Sequence, residues 1–286
     1  MQIAGYEVVT PFETTGSGYA RWCEAIKDGQ RYFIKQFLAP VQPVQTTEIP
    51  TELVIKKRQR CVEFEKRKRT LYDALQRIPG ECMVRVNDFF VYDGHYFAVS
   101  EYIDPAYPTF ATIDTLHKKA KLRLLLSLAE CLQALHNGGV VHADLKPDHI
   151  IIDNRVGKMV IRLIDFDSGF MEAAPPDGNS NIEVDPVYLA PETYRLMTAA
   201  KVRLTHKLDT FSFGILLHQA FSGELPQFDR TKYSYLYACI LDKGSIVFSD
   251  KLTKKQQALI RRMLQKNPAK RPGDQTICEY LKSELS

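Results

Sequence analysis

Two short apolar stretches with acidic ends constrain this chain most: "VVHADLKPDHIIID" (140–153) and "VIRLIDFDSG" (160–169). Short apolar runs of strand length flank the first motif and precede the acidic end of the second. Neighbouring strands would carry Asp144 and Asp165 on adjacent ends, where a base can stand beside a divalent cation. Within the first stretch Asp144, Lys146 and His149 are spaced closely enough to converge on one phosphate.

The remainder divides unevenly. Residues 1–37 read as strands: "YEVVTPFE", "YARWCEAIKDG" and "RYFIKQFL", with "KDGQ" as a turn. A proline-punctuated loop, "APVQPVQTTEIP", precedes a predicted helix from Thr51 to Ile78, whose Phe64, Leu71, Leu75 and Ile78 share one face. "MVRVNDFFVYDGHYFAVSEYI" reads as two strands around "YDGH". From about residue 112 the pattern is mostly helical; Gly138 ends the segment "LRLLLSLAECLQALHNGG". A strand-rich first third with one helix thus precedes a helix-rich remainder, joined at "SEYIDPAYP".

The 286 residues suffice for one large domain or two lobes. Hydrophobic residues at 45% and charged residues at 25% predict a soluble globular chain. There is no apolar run of the roughly 18 residues a spanning helix needs, and no signal peptide is read at the start. The six scattered cysteines form no CxxC pair, which predicts a reduced cytoplasmic setting without disulfides or structural zinc. Much of the +4 net charge sits in "KKRQRCVEFEKRKR" (56–69), read as a solvated helix face rather than a nucleic-acid or membrane patch. That face and the loop before it offer a dock for a regulatory partner.

The ordered motifs resemble those of the eukaryotic-type (Hanks-type) Ser/Thr protein kinases. "HADLKPDH" is similar to the catalytic loop HRDLKPEN, and "DFD" takes the DFG place. "YLAPE" (188–192), "LDTFSFGILL" (208–217) and "NPAKRP" (267–272) follow in family order. The resemblance is strong over 140–272 and loose over the first 60 residues. It implies a bilobal α+β fold, with a small antiparallel sheet lobe with one main helix (1–103) and a larger, mainly helical lobe (104–286). It also implies ATP, Mg²⁺ or Mn²⁺, and a protein substrate. By position, Asp144 orients the acceptor hydroxyl and takes its proton, and Lys146 neutralises the transferring group. Asp165 holds metal, and Lys35 contacts the α- and β-phosphates. Gly16 and Gly18 let the backbone cover the phosphates. Glu101 and Ile103 offer backbone bonds to adenine, with Ser100 behind. His142 packs beneath the loop, Asp209 bonds the loop backbone, and Glu192 pairs with Arg271.

The chain departs from the family at several positions. His149 replaces the metal-binding Asn, as it can in aminoglycoside phosphotransferases, and predicts a Mn²⁺ preference and loss of activity on acidification. Asp167 replaces the DFG glycine, either as a further metal ligand or orienter, or as a stiffer loop. Ala143 removes the arginine that docks a phosphorylated activation loop; between Ser168 and Glu183 only Ser168 and Ser180 carry hydroxyls. A kinase without loop phosphorylation is expected. Asp185 stands where the family has Thr and is expected either to pair with Lys146 or to crowd Asp144. Phe33 narrows the adenine site or points elsewhere, depending on strand register. The helix glutamate that pairs with Lys35 is read as Glu65, with Glu63 also available, although apolar spacing puts Arg67 at the family position. Two alternatives stand beside the protein kinase reading: an aminoglycoside-type small-molecule phosphotransferase, and a silent scaffold binding nucleotide or a partner.

Overall fold

The computed structural model describes residues 1–14, 20–44, 51–153, 159–177, 182, 184–198 and 200–286; Gly16, Gly18 and Ser180 lie outside them. The chain forms two compact units. One comprises Met1–Gln76 and Val84–Pro105, the other Arg77–Met83 and Ala106–Ser286.

The first unit is built on six antiparallel strands: β1 (Gln2–Ile3), β2 (Tyr6–Val8), β3 (Ala20–Lys27), β4 (Gln30–Phe37), β5 (Val86–Tyr92) and β6 (His95–Glu101), in the order β1-β2-β3-β4-β6-β5. Three tight hairpins join neighbouring strands: β1–β2 turns on Ala4-Gly5, while β3–β4 and β5–β6 turn on Asp28-Gly29 and Asp93-Gly94, all with positive φ. That conformation matches the right-handed twist of the flanking strands. Alternation sorts the side chains onto two faces. Cys23, Ala25, Ile34, Phe97 and Val99 form a core with Ile3 and Tyr6 on one face.

The other face carries Phe37, Phe89 and Tyr96, against which helix α1 (Glu52–Arg77) lays Phe64 and Tyr72. Phe64, Leu71, Leu75 and Ile78 are all buried, as their spacing predicts. The basic stretch from Lys56 to Arg60 is exposed. In the sheet register Lys35 lies opposite Trp22 and Ala98, and Phe33 opposite Ser100. Phe33, Lys35 and Phe37 therefore share the face on which α1 packs.

The second unit is mainly helical. Its longest helix, α2 (Lys118–Asn137), ends at Gly138, where a Cβ would lie 2.7 Å from Ile78 Cγ1, so the helix end packs as closely as only glycine allows. Two short sheets follow: β7 (Val140–Val141) pairs with β10 (Phe170–Met171), and β8 (Ile150–Asp153) with β9 (Val160–Leu163). Helices α3 (Pro191–Met197), α4 (Lys207–Ser222), α5 (Leu236–Leu241), α6 (Lys254–Met263) and α7 (Asp274–Leu285) complete it. Residues 208–218 of α4 are buried without interruption, so this helix is enclosed on all sides. Among the described residues no helix is long and apolar enough to cross a membrane.

Arg271 ties the late helices to α3. Its guanidinium forms a buried two-pronged pair with Glu192, with Nη2 donating to Oε2 at 2.7 Å, and Nη1 also donates to the Lys207 carbonyl at 2.8 Å. Removing one partner of such a pair strands the other charge. Arg271→Met is expected to cost about 3–5 kcal/mol, read as a lower urea midpoint with unchanged slope. A cost below about 1 kcal/mol would show that the pair can be dissolved locally.

Candidate active site

The loop between β7 and β8 is held by one carboxylate. Asp209, fully buried in the first turn of α4, accepts the His142 amide at Oδ2 (2.8 Å) and the Ala143 amide at Oδ1 (2.9 Å). Ala143 has φ +70° and Asp165 φ +59°, both left-handed without being glycine. Such strained positions persist where surrounding bonds over-determine them, and they gather at active sites. His142 is the loop's floor. Its Nε2 donates to the Ile164 carbonyl at 3.1 Å, its Nδ1 accepts the Asp144 amide at 3.3 Å, and its ring packs on Phe166. Burial pushes its protonated form down, so it is a neutral structural imidazole.

On this floor the charged groups converge. Lys146 Nζ lies 3.2 Å from Asp144 Oδ2, and Asp144 Oδ1 accepts the Asp185 amide at 3.0 Å. The Asp185 carboxylate accepts the Val187 amide at 2.8 Å, closing its own turn rather than reaching for Lys146 as one sequence expectation had it. His149 Nδ1 donates to the Asp144 carbonyl at 2.9 Å, which fixes the tautomer and leaves Nε2 as the acceptor nitrogen. Nε2 lies 3.7 Å from Asp165 Oδ2. Octahedral ligands about 2.1 Å from a small divalent cation stand about 3 Å apart, so a modest closure fits one here. Asp165 Oδ1 accepts the Asp167 amide at 3.2 Å, so Asp167 orients Asp165 through its backbone.

In the strand unit, Lys35 and Phe33 share one face of β4, and the register sets Phe33 opposite Ser100 and Lys35 opposite Ala98. Phe33 stacks on Trp22 with ring centres 5.1 Å apart. Glu101 ends β6, and Ile103 follows it half-buried. Glu65 bonds Arg69 Nε at 2.9 Å and the Tyr96 hydroxyl at 3.4 Å, with a third of its side chain exposed. The charged residue that α1 buries is Lys68, 3% exposed, with Nζ 4.9 Å from the Phe37 ring centre. Arg67, at the position indicated by apolar spacing, is exposed. Sequence reading missed Lys68. The signal was faint: both 67 and 68 lie between Phe64 and Leu71 at helical spacing.

Residues 43–284 match the protein kinase domain family. The chain belongs to the protein kinases. Among curated relatives, the serine/threonine-protein kinase pkn2 of Myxococcus xanthus is 28% identical over 212 residues, 69% of this chain and 24% of pkn2. Protein kinase kin1 of Schizosaccharomyces pombe is 30% identical over 221 residues, 74% of this chain and 23% of kin1. The serine/threonine-protein kinase pim-2 of Danio rerio is 23% identical over 271 residues, 89% of this chain and 77% of pim-2. The chain thus spans about a quarter of the length of the first two. The α+β architecture, an antiparallel sheet unit with one long helix and a mainly helical unit, is that of the kinase fold.

Behind the loop, Asp209 Oδ2 also meets His136 Nε2 at 3.1 Å, and His136 Nδ1 meets Asp274 Oδ2 at 2.8 Å. Burial pulls the His136 imidazolium down, but the bonds to Asp209 and Asp274 outweigh it and raise its pKa to about 9. Its folded value exceeds the ordinary one of about 6.5, so the stability it contributes is complete below that pH and is lost as pH rises through 9. In EDTA, the unfolding free energy from urea titrations should fall by on the order of 3 kcal/mol between pH 6.5 and 9. His136→Gln should flatten that slope; an unchanged slope would locate the titration elsewhere.

Proposed function

We propose that this kinase transfers the γ-phosphoryl group of ATP to Ser or Thr hydroxyls of protein substrates. The observation that carries the proposal is the converged loop, with Lys146 beside Asp144 and the acceptor nitrogen of His149 facing Asp165. Asp144 is the base that orients the acceptor hydroxyl and takes its proton. Lys146, drawn to the same carboxylate, neutralises charge on the transferring group. His149 Nε2 and Asp165 would hold the divalent cation, which supplies charge neutralisation on the nucleotide phosphates when bound. Lys35 binds the α- and β-phosphates, Gly16 and Gly18 cover them, and the backbone of Glu101 and Ile103 meets adenine. With Ala143 in the loop, no arginine receives a phosphorylated segment, so catalysis proceeds without that modification. The exposed basic face of α1 would take an acidic segment of a regulatory partner.

A second reading, a catalytically silent scaffold that binds nucleotide or a partner protein, is favoured by two observations. The Trp22–Phe33 stack occupies the sheet face of Lys35, and α1 buries the charged Lys68. Turnover separates the readings. With γ-labelled ATP and a generic protein acceptor, Mn²⁺ should outperform Mg²⁺, and Asp144→Ala should lose at least about a hundredfold in rate. His149→Asn should move the preference toward Mg²⁺ while retaining activity. Label transfer insensitive to Asp144→Ala, or none with either metal, would support the scaffold.

Phosphatase treatment offers a separate check on regulation. The rate should be unchanged by it, and a large loss would reinstate control by loop phosphorylation.

A further inference from the structure

Asp209 faces the catalytic loop on one side and a cluster of histidines and carboxylates on the other. His136 ends α2, His206 precedes α4, and Asp274 opens α7. One ligand atom from each lies within 4.8 Å of the others. The two imidazole rings are 4.9 Å apart. Each histidine already has a carboxylate on one nitrogen: Asp209 on His136 Nε2 at 3.1 Å, and Glu172 on His206 Nδ1 at 2.8 Å. This leaves Nδ1 of His136 and Nε2 of His206 for a third party, with Asp274 Oδ2 already 2.8 Å from the former.

We infer that His136, His206 and Asp274 form a site for a borderline-soft divalent cation, Zn²⁺ above all, distinct from the cation site proposed at His149 and Asp165. Three chemical arguments support it. Two imidazoles and one carboxylate make a donor set that zinc takes at about 2.0–2.1 Å, with a fourth position open to water. Tetrahedral ligands at that distance stand about 3.4 Å apart, so the present spacing needs only side-chain rotation. A carboxylate behind each ligating histidine is the arrangement that fixes the tautomer and raises ligand basicity at zinc centres. Exposure suits entry: His136 is enclosed, while the His206 and Asp274 side chains are 28% and 14% exposed.

The metal would take the place of the proton shared by His136 and Asp274. Charged groups around it are Asp209, Glu172, Lys207 and Arg271, in addition to the three ligands. It would clamp the end of α2, the start of α4 and the start of α7 around the residue that anchors the catalytic loop. The expectation of no structural zinc rested on the scattered cysteines, which carry no information on a site made of histidines and a carboxylate.

Co²⁺ titration of the EDTA-stripped full chain tests the site through its visible d–d absorption, with melting temperature as a second readout. One equivalent should bind with tetrahedral-type intensity. His206→Gln and Asp274→Asn, both at partly exposed positions, should each weaken binding at least tenfold, whereas Asp165→Asn should leave the spectrum intact. The inference is overturned if wild-type protein gives no such absorption. It is also overturned if folded His206→Gln and Asp274→Asn proteins bind as wild type does, or if Asp165→Asn alone removes the signal.

Discussion

The Asp209 carboxylate is the interaction on which the catalytic loop depends. Two consecutive amides, one belonging to a residue with positive φ, end on its two oxygens inside a dry interior. A buried amide without a partner costs about 1–3 kcal/mol, so losing Asp209 would release the loop at two points. The proposed catalytic groups follow this anchor along the loop: the His142 floor, the Asp144–Lys146 contact and His149, held by the Asp144 carbonyl. The anchor is itself positioned from behind by His136, which joins α2 and α7 to the loop through a short chain of hydrogen bonds.

In the proposed metal site, His149 would take the place of an asparagine by different means. Asn offers an amide oxygen to the metal, and its orientation is set by local hydrogen bonds. Here the same backbone position presents an imidazole whose Nδ1–H is consumed by the Asp144 carbonyl, so Nε2 is left facing Asp165. The tautomer is thereby written into the loop geometry rather than left to the metal. Asp185 shows the opposite case. It keeps a backbone link to Asp144 while its carboxylate accepts the Val187 amide and closes a local turn.

Strong local signals made much of the fold legible. The Asp-Gly hairpins, the apolar face of α1 and the ordered motifs from His142 to Arg271 all announce themselves through turn chemistry, helical period or motif order. The sheet register could not be read, because alternation fixes which residues share a face but not which partner strand lies opposite. Only the register of β3 against β4, with Trp22 opposite Lys35, shows that the Phe33 ring stacks on Trp22. The phase of α1 was one residue beyond reach: Arg67 and Lys68 both fit between Phe64 and Leu71, and burial against Phe37 decides for Lys68. The His136–His206–Asp274 cluster is assembled from three separate elements, so no spacing in the chain could reveal it.

The central claim is that an imidazole fixed by the catalytic loop serves as a metal ligand for phosphoryl transfer. Pulsed electron paramagnetic resonance of the Mn²⁺–ATP complex tests it most directly, using His206→Gln protein so that only the loop site is read. The account predicts hyperfine coupling from one directly bound nitrogen, abolished by His149→Asn. Mn²⁺ and ATP bound with oxygen ligands alone, or a nitrogen signal that survives His149→Asn, would contradict it.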